Sequence, residues 1–394
     1  MDLQEILTNI AVPRPGHREA LEKTAEYIKG LLTSWNVPFV VQEFAFRPYM
    51  QFLIGLTLLI LGIILFILIW RKKPIPALIV SLVIFPFLFL EFEMFIPIVS
   101  GLITKTGENI IVSFKAPDAV RELIFMAHYD SKTDFWDHIQ RAKIYKWIPH
   151  VFALGVLLSI WLFFVKKFDA LKNKLVTSIN LTIAGLIVIY WGLVFLGFGG
   201  FVFLPEERES FGAVDNGTAV VTLLALSKDI VDGKVDIGKS NVTIILTSGE
   251  ETTLQGANFY VKDRWGKVAD PEIPTTLVNL ELVAQNGNMV HWKKVGVFLS
   301  FNEADAELID RLNIAYKEIS GKPIEIAGDG YITDDSHCFA TVGIPFITVG
   351  NSGFPGLGMG GFHSNLDNLE RVNYINLEIM IKTLEKYIEG YNEK

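Results

Sequence analysis

The chain has 394 residues, 51% of them hydrophobic, and a formal net charge of −8. So large an apolar share excludes an ordinary soluble protein, and an acidic balance without a long Lys/Arg run gives no reason to expect a nucleic-acid partner. The single cysteine, Cys338, excludes an internal disulfide framework and a Cys-rich zinc site.

The opening MDLQEILTNIAVPRPGHRE lacks both a basic n-region and a long apolar h-region, so no cleavable signal peptide is expected. Residues 18–35 have helical spacing (Leu21, Ala25, Ile28, Leu31, Leu32), and residues 37–46 alternate as a strand. Residues 52–70 then run without a charge for the length a helix needs to cross about 30 Å of hydrocarbon. A second such run, 74–90, extends past Glu91 and Glu93 to roughly residue 103 if those carboxylates are sheltered. They sit near its outer end, where an interfacial position is expected. Residues 109–114 and 123–127 are expected to pair as strands around the turn KAPDAVRE.

Residues 147–165, with His150 near the start, and 175–204 complete four spans. The end of the fourth, GFGGFVFLP, is expected to leave the membrane. Core helices of a large soluble protein are the competing reading, but such helices rarely run this long without a polar face. Basic residues occupy the connection within each pair: Arg71, Lys72 and Lys73 in the first, Lys166, Lys167, Lys172 and Lys174 in the second. The positive-inside rule then puts both hairpin tips in the cytoplasm and everything else on the opposite side. Tyr49, Trp70, Tyr145 and Trp147 at the span ends suit an interfacial aromatic belt.

Beyond the spans, residues 213–228, 253–262, 303–319 and 373–391 read as helices, and the apolar runs 242–246, 276–280 and 345–349 as buried parallel strands. Excising hairpins 51–104 and 139–204 leaves roughly 270 residues, the size of one α/β domain. That domain is assembled from 1–50, 105–138 and 205–394. Its expected fold is a mixed, mostly parallel sheet flanked by helices. Ligands of such sheets gather at the carboxyl ends of strands, and the polar clusters fall there.

Five patches carry them: MAHYDS (His128, Asp130), GAVDNGTA (Asp215), TSGEETTLQGA (Glu250, Glu251), VNLELVA (Glu281) and GFHSNLDN (His363, Asp367). Imidazole with carboxylate suits Zn²⁺. Two histidines and three carboxylates suffice for two metals about 3.5–4 Å apart, a pair that lowers the pKa of a shared water and clamps the substrate carbonyl. A further carboxylate must move the proton from that water to the leaving amine. Singly, each patch has a plainer account: His128 as a core histidine, Asp215 as a helix cap, Glu250 and Glu251 as first-turn acids.

In order, HxD, GAxDN, GEE followed by Gly, NLE, and His with Asp four residues on, the chain resembles the M28 metallopeptidases, zinc aminopeptidases whose fold is zinc-exopeptidase-like. The resemblance covers everything but the four spans. It implies a dinuclear centre with two Zn²⁺, His128 and Glu281 on one metal, Glu251 and His363 on the other, and Asp215 bridging. Glu250 is then the general base, and Asp130 and Asp367 fix the tautomers of His128 and His363. The resemblance also implies a cis peptide bond after Asp215. Where the family usually has Asp, this chain has Glu281, which alters reach but not ligand type. Phe362 stands where Tyr is often found, removing a hydroxyl that could stabilise an oxyanion. Tyr331, in GDGYITDDSH, is the candidate substitute, a loop aromatic being the alternative. The family's SDH appears as Asp335, Ser336 and His337, so His337 is expected to be structural and Cys338 a small buried residue. NSGFPGLGMGG (351–361) is no phosphate loop, since no Lys-Ser/Thr and helix follow it.

These residues imply hydrolysis of N-terminal peptide bonds by a membrane-bound enzyme, with a peptide and the lipid bilayer as partners. Glutaminyl cyclisation, which related enzymes perform with one metal, is the enzymatic alternative. An inactive membrane scaffold or transporter is the non-enzymatic one, opposed by the complete ligand set.

Overall fold

Helices α1 (Leu3–Ile10) and α2 (Glu19–Ser34) lead into strand β1 (Phe39–Phe46), and the apolar helices α3 (Met50–Trp70) and α4 (Pro74–Leu88) follow. Next come β2 (Lys105–Phe114), β3 (Arg121–His128), α5 (His138–Tyr145), α6 (Ile148–Lys167) and α7 (Lys174–Gly199). After them run α8 (Thr218–Val231), β4 (Ser240–Thr247), α9 (Gln255–Trp265), β5 (Thr275–Leu280), β6 (Met289–His291), β7 (Lys294–Val297) and β8 (Ser300–Glu303). The chain closes with α10 (Ala306–Ser320), β9 (Glu325–Ile326), β10 (Tyr331–Ile332), α11 (Ser336–Thr341), β11 (Phe346–Asn351) and α12 (Tyr374–Glu389). This computed structural model describes residues 1–136, 138–168, 173–328, 330–353 and 360–392. Lys172 of the second hairpin tip and positions 354–359 of the glycine-rich segment lie outside the described residues. Two compact units emerge, one of residues 1–48, 104–133 and 206–394, the other of 49–103 and 134–205.

The first unit is a mixed α/β body. Its eight-stranded sheet runs β1-β2-β4-β3-β5-β11-β6-β9, and a second sheet runs β10-β7-β8. The strands β4, β3, β5 and β11 are parallel, as their apolar runs and alternating helices imply. Leu123, Phe125 and Ala127 of β3 join the core that α1, α2, α8 and α12 build; Ile124 and Met126, buried as well, point to the other face. There α9 and α11 meet through Tyr260 stacked on Phe339, ring centroids 5.8 Å apart.

One expected pairing is overturned. Residues 109–114 and 123–127 do not pair with each other, because β4 lies between them, antiparallel to β2 and parallel to β3. Val242, Ile244, Ile245 and Leu246 of β4 are all fully buried. A strand that is apolar on both faces is covered only at the centre of a sheet, and that outweighs the short connection from β2 to β3.

In the second unit, four helices are long and apolar enough to cross a membrane. The 21 residues of α3 span about 31 Å at 1.5 Å per residue. Ile60, Ile63, Ile64 and Ile67 of α3 and Leu157, Trp161, Phe163 and Phe164 of α6 are all exposed, a surface that water covers only at high cost. Glycines let α3 and α7 approach closely: a Cβ on Gly62 would stand 2.8 Å from Trp191 Cδ1 and one on Gly55 3.2 Å from the Phe195 backbone, the small-residue device of helix pairs in lipid. Between α4 and α6, the Ser81 and Ser159 hydroxyls share a hydrogen bond of 3.2 Å.

The second span stops short of residue 103. A π-helical turn, Phe89–Glu93, ends it, and Glu91 is fully buried within the protein. Glu91 Oε1 accepts from the N–H groups of Ile98 (2.8 Å), Val99 (2.6 Å) and Ser100 (3.2 Å), and Oε2 accepts from the Ser100 hydroxyl at 2.6 Å. The carboxylate thus closes the segment that turns back toward β2. Glu91→Leu strands these donors, and the expected cost is at least about 3 kcal/mol, with Glu91→Gln losing less. Thermal unfolding of the detergent-solubilised variants measures the difference, and equal stability of all three proteins contradicts the capping role.

Candidate metal centre

The sheet delivers its polar residues at one edge. His128 is the last residue of β3, Glu250 and Glu251 follow β4, and Glu281 follows β5 directly. Asp215 lies ahead of α8 in an irregular turn, Ala213–Gly217, and its peptide bond to Asn216 is cis. The helix expected from 213 therefore begins at Thr218, and Asp215 is not its cap.

These side chains converge. His128 Nε2 lies 3.3 Å from Asp215 Oδ1, 3.5 Å from Glu281 Oε2 and 3.8 Å from Glu250 Oε2. His363 Nε2 lies 3.2 Å from Asp215 Oδ2 and 3.1 Å from Glu251 Oε1. The two oxygens of Asp215 thus face different imidazoles, each of which has a glutamate of its own. Donor atoms of His128, Asp215 and Glu281, and of Asp215, Glu251 and His363, fall within 4.8 Å of one another; a third group is His128, Glu250 and Glu251.

Donor chemistry and spacing both fit zinc. Ligands of a tetrahedral Zn²⁺ at about 2.0–2.1 Å stand about 3.3 Å from each other, close to the imidazole–carboxylate separations here. His128, Asp215, Glu251, Glu281 and His363 are all buried, and a cation among buried carboxylates offsets the cost of taking them out of water.

A surrounding layer fixes these groups. Asp130 Oδ1 is 3.4 Å from His128 Nδ1, and its two oxygens accept from the N–H groups of Glu250 (3.3 Å) and Glu251 (3.2 Å). One carboxylate therefore orients both a histidine and the glutamate pair. Asp367, assigned by resemblance to His363, accepts from the N–H of Val214 at 2.8 Å and of Asp215 at 3.2 Å, so it holds the backbone that presents Asp215. Asn216 donates to Glu281 Oε2 (3.1 Å) and Asn279 to Glu281 Oε1 (3.3 Å), which aims the longer glutamate. His363 has a φ of 60°, a left-handed conformation that costs a non-glycine residue about 1–3 kcal/mol. Nearby, the Arg371 guanidinium lies 3.9 Å over the Phe362 ring and donates to the Gly360 carbonyl at 2.7 Å.

Arg14, in AVPRPG, escaped the reading of the sequence. Its fully buried guanidinium donates to the carbonyls of Tyr129 (2.6 Å), Ile10 (2.9 Å), Val12 (3.2 Å), Phe211 (2.7 Å) and Gly212 (2.8 Å). It ties together the segments that carry His128 and Asp215. Gly212 has a φ of +58°, and a Cβ there would stand 2.9 Å from Arg14 Nη1 and 2.8 Å from the Asp215 carbonyl oxygen, so only glycine fits this crossing. An arginine between two prolines carries no signal of burial; only folding reveals it.

Electrostatics follow from burial. Desolvation opposes ionisation of Asp215, yet hydrogen bonds from His128 and His363 hold its carboxyl well below the usual range. Desolvation, then Glu251 and Glu281, push Glu250 well above it. Burial pushes Glu281 up to about 8 and Asp367 up to about 7. Desolvation also lowers Arg14 to about 10, against the pull of Asp367, Asp130 and Asp215.

Tyr331 is exposed, in β10 of the small sheet, its ring edge-on to Phe301 with centroids 5.6 Å apart. His337 and Cys338 are buried in α11, and Cys338 Sγ lies 3.8 Å from the Leu254 carbonyl oxygen.

Fold and site together define a zinc-exopeptidase-like protein. Its relationships agree: residues 198–388 match the model of Peptidase family M28. The match includes Asp215, Glu250, Glu251, Glu281 and His363 but begins after His128, which the fold alone brings to the centre. No curated protein matches the chain. Among solved structures it resembles a leucine aminopeptidase precursor from Bacteroides thetaiotaomicron (15% identity, 100% of this chain and 96% of that one covered, TM-score 0.55). A glutaminyl cyclase from the same organism, bound to N-acetylhistamine, is similar at 13% identity, 100% and 97% coverage and a TM-score of 0.55. So is a Zn-dependent exopeptidase from Parabacteroides distasonis, at 15%, 98% and 96%, and 0.55. At such identities the likeness establishes the fold.

In metal-stripped protein, Glu250, Glu281 and Asp367 have folded pKa values above the unfolded value of about 4. The folded state then binds more protons than the unfolded state between about pH 5 and 8, so stability falls as pH rises through that window. Added Zn²⁺ reverses the trend, because it takes deprotonated ligands. Thermal unfolding at pH 5 and 8, with chelator and with zinc, reads both slopes; identical zinc-induced shifts at the two pH values contradict this assignment.

Proposed function

We propose that this protein is a membrane-bound dinuclear zinc aminopeptidase that hydrolyses N-terminal peptide bonds. The observation that carries the reading is Asp215, whose oxygens stand 3.3 and 3.2 Å from His128 and His363. His128 and Glu281 would hold one cation, His363 and Glu251 the other, and Asp215 would bridge them. When bound, the pair supplies an activated water and polarises the scissile carbonyl. Glu250, pushed up by burial, takes the proton of the attacking water and passes it to the leaving amine. Asp130 holds His128 and both glutamates in place, and Asp367 holds the turn of Asp215.

The four apolar helices support embedding in a bilayer, which is the protein's second partner. The basic hairpin connections support cytoplasmic tips and an extracytoplasmic peptidase unit. Protease protection of residues 206–394 in intact cells and inverted vesicles checks the side.

Glu250→Gln is expected to lower release of amino acids from short peptides and aminoacyl-anilides by about 10²–10⁴-fold, with two zinc ions retained per chain by elemental analysis. Activity within a few-fold of wild type sinks the mechanism. One metal per chain, with ring closure of N-terminal glutaminyl peptides, establishes the cyclase instead; an inert preparation that takes up no metal establishes a scaffold.

A further inference from the structure

The second unit contains a cavity of about 460 Å³ lined by Lys73, Pro74, Ile75, Pro76, Phe163, Lys166 and Lys167. Its cations come from two chain segments, the residue before α4 and the last turn of α6. Among the described residues no carboxylate forms an ion pair with Lys73, Lys166 or Lys167; Asp169, the acidic residue of these connections, lies outside them. The remaining lining is apolar and continues outward: Ile75 and Ile79 of α4 are 62% and 57% exposed, and Phe163 and Phe164 of α6 46% and 48%. Three ammonium groups at the end of a hydrophobic wall match a molecule with an anionic head and a hydrocarbon body.

We infer that this cavity binds the phosphate headgroup of an anionic lipid, whose acyl chains lie along the exposed apolar faces of α4 and α6. The inference rests on the membrane-embedded reading of these helices, not on the peptidase chemistry. Lys73, Lys166 and Lys167 supply donors to the phosphate oxygens, while Ile75 and Phe163 cover the first methylenes. A free phosphate would use the ammonium groups but gain nothing from the apolar lining, so the lipid is the occupant that uses both. Basic pockets between membrane helices on the cytoplasmic side are suited to such headgroups.

The test uses the full-length protein in neutral phosphatidylcholine nanodiscs, with incorporation itself checking the embedded reading. Titrated phosphatidylglycerol is expected to saturate at one lipid per chain by native mass spectrometry, with inorganic phosphate failing to compete. Each lysine near an anionic lipid is worth about fivefold in binding. The triple variant Lys73→Gln, Lys166→Gln, Lys167→Gln is therefore expected to weaken retention on the order of a hundredfold. Arg71→Gln with Lys72→Gln removes two charges from the same connection without touching the cavity lining, and is expected to leave retention within about twofold. Comparable losses in the two variants mean a diffuse surface potential and overturn the site, as do equal retention of both lipids or competition by inorganic phosphate. Thermal unfolding of the triple variant like that of wild type shows that it has folded; if it has not, the single Lys73→Gln variant, expected to lose about fivefold, decides the matter.

Discussion

Burying acidic groups beside two imidazoles is the constraint around which the first unit is organised. Isolated carboxylates leave water at a cost of many kcal/mol unless cations or donors meet them. Here the compensation is layered. Asp215 stands between His128 and His363, Asp130 and Asp367 each accept two backbone N–H groups, and asparagine amides reach both oxygens of Glu281. Arg14 adds a fixed positive charge below them, its own donors satisfied by five carbonyls rather than by an anion. Every donor it spends on backbone leaves an acidic group free for the centre. The arrangement is dense in negative charge toward its middle and satisfied on its outside, the condition that a bound metal cation relieves.

Much of this was legible in the sequence because its signals are local. Uncharged runs marked the four long helices, and alternating apolar strands and amphipathic helices marked a mixed sheet. The strand-end positions of His128, Glu250, Glu251 and Glu281 followed from those runs. What escaped has a common physical origin in long-range packing. Arg14 lies more than a hundred positions before the backbone of Tyr129 that it holds. The burial of Glu91 went unread because the three N–H groups that shelter it belong to a turn with no distinct composition. Residues 109–114 and 123–127 were paired by proximity, whereas the fully apolar β4 claims the place between them. The short strands β6 to β10 carry too few residues for a period to show.

The Glu281 position illustrates how a longer side chain is accommodated. An extra methylene gives its carboxylate more freedom, and the structure removes that freedom with amides from Asn216 and Asn279, one on each oxygen. Asn216 also donates to the Leu280 carbonyl at 2.7 Å, so a single side chain registers the turn of Asp215 against the end of β5. The glutamate pair is similarly registered to β3 through Asp130.

The central place of β4 orders events during synthesis. Strands β2 and β3 are both made early, between the two hairpins; β2 has β1 to pair with at once, but the place between β2 and β3 is filled only when residues 240–247 emerge. By then all four apolar helices have left the ribosome, since chains are made from the amino terminus. The join between β2 and β3 therefore waits for a strand separated from β3 by a whole hairpin, with β5 and β11 added later still, and the loop to be ordered is long. Until then β3 and one edge of β2 lack their strand partner, and such open edges invite pairing with another chain.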